Sequence, residues 1–249
     1  MIRFIKYLLT IFIFSLFING CSSQKLSISK NSPSILYINS QKKLQNGNYK
    51  GAITLLEILN NDYPFGPYHH QAQLDMIFAY YKSSELKLAI TSINRFIRMN
   101  PTHPNIDYVL YIRGITTQEL DDDILQKFFC IDRSDRDPQY AIMAFKDFSN
   151  LVRFYPNSIY ATDAIKRLFF LKERLAKYEL AIIKYYNKRG AYISVINHTE
   201  QMLKKYPDTQ STFKALKYMA RAYNELGLIK EKNKVTKLIL YNLRITKSN

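Results

Sequence analysis

Tryptophan is absent from these 249 residues, cysteine occurs only at Cys21 and Cys130, and glycine only seven times. Each scarcity removes a class of chemistry. Two isolated cysteines build neither a Cys-x-x-Cys redox pair nor a cysteine-rich zinc site. The sparse glycines form no P-loop and no Gly-x-Ser-x-Gly elbow, and the four histidines form no His-Glu-x-x-His helix. Long hydrophobic runs are equally scarce. The apolar segment Tyr7 to Ile18 is 12 residues long, against the roughly 20 that a spanning helix needs. It does not read as a membrane span.

The same segment has the layout of a secretory signal, with Arg3 and Lys6 before it and the small Gly20 after it. Ile18-Asn19-Gly20-Cys21 resembles a bacterial lipobox. That likeness implies cleavage before Cys21 and acylation of Cys21 through N-acyl and S-diacylglycerol groups. Ser22, rather than Asp, after the cysteine implies sorting to the outer membrane. Each buried acyl methylene contributes about 0.8 kcal/mol, so two or three chains anchor a protein far more firmly than one. The expected layout is a signal peptide over 1–20 that is removed, a polar lipidated tether over 21–33, and a folded region beyond it. An acylated Cys21 leaves Cys130 without a disulfide partner, and Cys130 in KFFCID reads as a small buried apolar residue.

Acidic residues are also in short supply. Without Arg3 and Lys6, the remaining 229 residues carry 34 basic and 20 acidic side chains, a charge of +14. Such a balance ordinarily points to nucleic acid or an anionic surface. Here the bases are scattered, mostly as Lys on periodic helices, and an exported protein meets no DNA. Nucleic acid is therefore not an expected partner. The excess reads chiefly as the composition of an AT-rich genome, with anionic lipids or acidic partners as the functional alternative.

Four prolines, Pro64, Pro101, Pro156 and Pro207, anchor a repeat. The first unit reads Gly47-x-Tyr49-x2-Ala52-x3-Leu56-x2-Leu59-x4-Pro64. The second reads Ser84-x-Leu86-x2-Ala89-x3-Ile93-x2-Phe96-x4-Pro101. The third keeps Ala144, Phe148 and Leu151, and the fourth keeps Gly190, Tyr192, Val195, Thr199 and Met202. This resembles the tetratricopeptide repeat, a helix–turn–helix unit of about 34 residues. Gly47 and Gly190 suit the turn between helices A and B, the small Ala52 and Ala89 suit the helix crossing, and each Pro ends a helix B. The expected fold is all-α, a tetratricopeptide-repeat solenoid of about five helix–turn–helix units. Repeats 1–3 would occupy 34–156 with an inserted loop at 119–138, and repeats 4–5 would occupy 157–249. The spacing from Pro156 to Pro207, 51 residues, assigns its surplus to one long helix from Tyr160 to Tyr186. In the fifth unit Ala220, Tyr223 and Gly227 are in frame, while Lys232 stands where a small residue belongs, so this unit reads as a cap.

No catalytic, metal or cofactor constellation emerges. His69-His70 are adjacent rather than at i, i+4, and read as surface residues. Asp121-Asp122-Asp123 and the acids of 132–137 lack the EF-hand spacing and glycine, and read as helix caps and ion pairs. The aromatics are more informative. Tyr63, Phe65, Tyr68, Tyr80 and Tyr81 fall where helix A of the second repeat would face the concave groove. Such rings suit an extended, aromatic-rich peptide, and suit the core equally well.

The strings YPFGPY, NPTHPNIDYVLYIRG, FFCIDRSDRDP, the AF-x-DF-x2-LV-x2-YPNS-x-Y block and KYE…YY-x2-RGAY together resemble the BamD family. Its members are lipoproteins of the outer-membrane β-barrel assembly machine in Gram-negative bacteria. The resemblance runs from the lipobox to about Asn224, with His198 where the family tends to carry Arg. It implies a non-enzymatic scaffold held on the periplasmic face of the outer membrane by a lipid in the inner leaflet. The N-terminal repeats would receive unfolded outer-membrane proteins by an aromatic-ended C-terminal signal. The C-terminal repeats, with Arg189 and His198 as candidate contacts, would hold the barrel subunit BamA and the accessory lipoproteins. The alternatives are a different repeat lipoprotein, serving pilus assembly or peptidoglycan, and a solenoid transglycosylase with a lone catalytic Glu.

Overall fold

Each of the four prolines is preceded by a residue that leaves the helix in the same way. Tyr63, Asn100, Tyr155 and Tyr206 have φ of −131°, −134°, −132° and −135°. The ring of the following proline disfavours the α region for its predecessor, so the helix ends there. The N–H of each of these four residues still donates to the carbonyl four residues back, on Leu59, Phe96, Leu151 and Met202.

The computed structural model describes residues 32–121 and 137–248, with side chains described to 243. The signal peptide, Cys21, Cys130 and the acids Asp122, Asp123, Asp132 and Asp135 lie outside the described residues. The described residues form α1 (Pro33–Gln45), α2 (Tyr49–Asp62), α3 (His69–Lys82), α4 (Leu86–Met99) and α5 (Ile106–Asp121). They continue with α6 (Gln139–Phe154), α7 (Ala161–Lys188), α8 (Tyr192–Lys205), α9 (Gln210–Glu225) and α10 (Ile229–Ser248). Among them there is no strand, and no helix is long and apolar enough to cross a membrane.

Contacts run along the chain. Every helix packs on its successor, and the further substantial pairings, α3 with α5 and α7 with α9, join alternate helices. That nearest-neighbour pattern defines a solenoid of five helix pairs. The repeat frame is its core: Ala52, Ala89, Ala144 and Val195 are fully buried, as are Leu56, Ile93, Phe148 and Thr199. Leu59, Phe96, Leu151 and Met202 complete the stripe at no more than 2% exposure. Burying one such Leu or Phe side chain contributes about 1.5–3 kcal/mol.

The turns within a pair also repeat. Gly47, Gly190 and Gly227 have positive φ, as does Ser84. At each, the following N–H closes back on a carbonyl five residues earlier: Asn48 on Lys43, Glu85 on Tyr80, Ala191 on Tyr186 and Leu228 on Tyr223. This is the Schellman arrangement, which satisfies carbonyls that the helix end leaves open.

Helix α7 is 28 residues long and covers the long helix expected from the 51-residue spacing. It joins two cores. Leu171 and Leu175 belong to the cluster built by α2 to α6, whereas Ala176, Leu180 and Ile183 belong to the one shared with α8, α9 and α10. A third, small cluster gathers Leu36, Ala52, Leu56, Leu59 and Ala72 at the N-terminal end. The last pair is thinly packed. Among the residues of α10 whose side chains are described, Val235 is the buried one, and Lys232 reaches sideways to donate to Asn224 Oδ1 at 2.8 Å.

Candidate functional site

The connection between α2 and α3 is YPFGPY, and its backbone is a tight staircase. Gly66 N–H donates to the Tyr63 carbonyl and His69 N–H to the Gly66 carbonyl. This folding turns Phe65 outward, where it is 99% exposed. Behind it lies an open cleft of about 360 Å³ lined by Phe65, His69, Gln73, Arg95 and Met99, among others. Met99, at the end of α4, is 72% exposed. The cleft thus offers two bare apolar side chains, and Arg95, which is exposed and makes no ion pair among the described residues.

Two imidazoles, His69 and His70, stand in its wall, and a third, His103, lies against His70. His70 sits 5.4 Å from His69 and 5.6 Å from His103, and His103 meets the Phe96 ring edge-on at 5.2 Å. Gln73 donates to His69 Nε2 at 3.1 Å and to Asn60 Oδ1 at 3.3 Å. His69 Nδ1 and Gln73 Oε1 are buried without a hydrogen-bond partner. Burial, then the neighbouring His70 and Arg95, lowers the pKa of His69 below 6.5. Burial and His70 do the same to His103.

The five sequence-predicted aromatics are not brought together. Phe65 alone stands free at the cleft. Tyr63 and Tyr68 are half-buried against the N-terminal cluster, and Tyr68 stacks on Tyr37 at 4.5 Å. Burial and the Asp75 carboxylate push the Tyr37 hydroxyl up to about 12. Tyr80 is a core residue, 7% exposed, and its hydroxyl donates to Glu57 Oε1 at 2.6 Å. Tyr81 packs on the central core, its hydroxyl raised by burial and by Glu119 on α5. The reason is helical geometry. Tyr80 and Tyr81 are a hundred degrees apart on α3, and the stripe shared with Leu74 and Ile77 takes Tyr80 inward.

At the other end, Arg189 caps α7 and is exposed, its guanidinium 4.8 Å from the Tyr185 ring. His198 on α8 is half-buried, stacked on Tyr186 at 5.4 Å and with Nδ1 3.2 Å from Glu179 Oε2. A ring with such partners is held in one orientation at the α7–α8 seam.

The family described as YfiO, outer membrane lipoprotein, matches residues 29–238. Over 209 residues the chain is 47% identical to the outer membrane protein assembly factor BamD of Vibrio cholerae, covering 84% of this chain and 87% of that protein. The chain belongs to the BamD family. BamD of Buchnera aphidicola is 36% identical over 236 residues, covering 93% of this chain and 96% of its own. BamD of Pasteurella multocida is 40% identical over 211 residues, covering 85% and 81%. Similar solved structures include a MamA protein at TM-score 0.38, with 17% identity over 84% of this chain and 90% of its own. Another is a kinesin light chain with TPR-like repeats at TM-score 0.40, with 13% identity over 88% of this chain and all of its own.

Within this BamD-family fold, Arg95 and Met99 complete the cleft, and sequence reasoning did not single them out. Their signal was present: Arg95 and Met99 are i, i+4 on α4, off the stripe of Ala89, Ile93 and Phe96. An apolar Met outside the apolar stripe marks an exposed position with its own reason to be apolar.

Proposed function

We propose that this chain is a lipid-anchored, non-enzymatic scaffold of outer membrane protein assembly, held to the periplasmic face of the membrane through Cys21. Its relatives are outer membrane protein assembly factors, and the observation that carries the site is the cleft behind Phe65. There an extended segment of an unfolded barrel protein is received, its terminal aromatic ring against Phe65 and Met99 and its C-terminal carboxylate towards Arg95. Burying one aromatic side chain contributes about 1.5–3 kcal/mol, and a guanidinium–carboxylate bond adds a directional contact. The C-terminal repeats, through Arg189 and the His198 seam, hold the barrel subunit BamA and the accessory lipoproteins.

The test is binding of a peptide copied from a barrel protein's C-terminal strand, together with photocrosslinking from position 65. Phe65→Ala combined with Arg95→Ala is expected to weaken binding at least about tenfold, about 1.4 kcal/mol. Tyr80→Phe, in the core, is expected to leave it unchanged. Equal binding by wild type and the double variant would overturn the assignment of this cleft. Mass analysis of the mature N-terminus reads the acylation of Cys21 directly.

A further inference from the structure

Four of the basic residues, scattered along the sequence, are gathered at one place by the fold. Lys184 of α7 and Lys214, Lys217 and Arg221 of α9 line a single cleft of about 480 Å³, with Leu180 and Tyr218 as its apolar wall. Lys214 and Lys217 also rim a second trough of about 390 Å³ between α9 and α10, whose apolar lining is Phe213, Leu216, Ile239 and Leu243. No carboxylate lines either one. Some cations elsewhere are paired with acids: Arg113 with Asp147, Arg167 with Asp163, Lys172 with Asp208 and Arg174 with Asp121. Here, among the described residues, the partner is a neutral one, Gln210 Oε1 at 3.4 Å from Lys214 Nζ.

We propose that this α7–α9–α10 surface docks an acidic amphipathic segment of a partner protein, its apolar face in the α9–α10 trough and its carboxylates over the four cations. The proposal rests on the reading of the C-terminal repeats as the partner-holding half, and gives that half a recognition chemistry. Charge complementarity selects an acidic ligand, because like charges gathered without counter-charge raise the energy of the free surface. Shape selects a chain segment. Both features are concave, and a helix laid in a groove reaches their floors where a flat bilayer meets only the rims. A second copy of this chain is disfavoured by its own excess of +14, which would set cations against cations across a two-fold interface. The trough is also left uncovered by the fold: Phe213 is 40% and Leu243 53% exposed, and α10 has no following helix among the described residues.

The probe is a labelled helical peptide of about 18 residues, with leucines at i, i+3, i+4 and i+7 and glutamates along one flank. It is titrated against the processed chain purified from the envelope. A companion peptide carries lysines in place of the glutamates. The acidic peptide is expected to bind and the basic one not to. Lys214→Glu with Lys217→Glu is expected to weaken binding at least about tenfold, as is Phe213→Ser. Lys50→Glu with Lys87→Glu, which alters the net charge equally on other helices, should leave binding intact. Equal loss in both charge pairs would overturn the site in favour of net charge alone. So would binding to phosphatidylglycerol vesicles without binding to the peptide, or a dimer that the Lys214 and Lys217 substitutions dissolve. Co-purification separates the two readings. Absence of the barrel subunit from the wild-type preparation overturns the assembly function, while its presence alongside a failure to bind the acidic peptide overturns this inference alone.

Discussion

Ser84 has φ of +61° in a turn whose counterparts, Gly47, Gly190 and Gly227, have φ of +71°, +71° and +72°. A side chain in this left-handed region crowds its own carbonyl, at about 1–2 kcal/mol. Glycine relieves that crowding but has more backbone freedom to lose on folding, an offset of about 0.4–1 kcal/mol. Ser84→Gly is therefore expected to stabilise the fold by about 0.5–1 kcal/mol, read as a higher urea midpoint with an unchanged slope. A lower midpoint would show that the serine is favoured there by something other than its backbone. At Gly190 no atom lies within 4 Å of where a Cβ would be, so backbone conformation rather than space is what demands glycine. The repeat frame placed Ser84 opposite those glycines, but a composition pattern does not reveal whether the chain keeps the positive φ or remodels the turn. It keeps it.

Between elements, α5 lies close on α6: a Cβ on Gly114 would lie 2.6 Å from the Phe148 ring. Beside it Arg113 Nε donates to Asp147 Oδ2 at 2.9 Å and Nη1 to Asn94 Oδ1 at 3.2 Å, tying α4, α5 and α6 together. Asp147 is buried, and burial raises its pKa even though the Arg113 hydrogen bonds pull the other way. Removing the cation strands a buried carboxylate, so Arg113→Ala is expected to cost about 3–5 kcal/mol. Arg113→Met with Asp147→Leu should recover most of that, because the pair itself stabilises little once its desolvation is counted. Denaturant titration of the single and double variants checks it, and equal instability in both would refute the argument. The apolar stripes of these helices were legible because packing repeats at 3.6 residues. The Arg113–Asp147 pair was not, because a polar contact 34 residues apart, across an insertion that breaks the repeat period, leaves no periodic trace.

For the molecule as a whole, the same contrast separates what the chain disclosed from what only the fold assembled. The number and order of helices among the described residues, and the long α7, followed from proline spacing. The aromatic groove was only partly legible, since five rings near one another in sequence go to a free edge, an N-terminal cluster and two faces of α3. The basic surface was legible only as a total, since Lys184 lies 30 residues before Lys214. That total has a measurable consequence. At low ionic strength a large positive net charge, +16 over the full sequence, repels itself, while at about 0.1 M salt the screening length falls to about 10 Å. The urea midpoint is expected to rise as salt is added through this range. The distribution of charge can be told apart from its amount. Lys214→Glu with Lys217→Glu and Lys50→Glu with Lys87→Glu each lower the net charge by four, from +16 to +12 over the full sequence. Relief of general repulsion would raise the low-salt midpoint of the two variants equally. If repulsion is concentrated between α7 and α9, the Lys214 and Lys217 pair should raise it more and leave a flatter salt dependence. Coinciding curves would show that the four cations are no more strained together than lysines elsewhere on the solenoid.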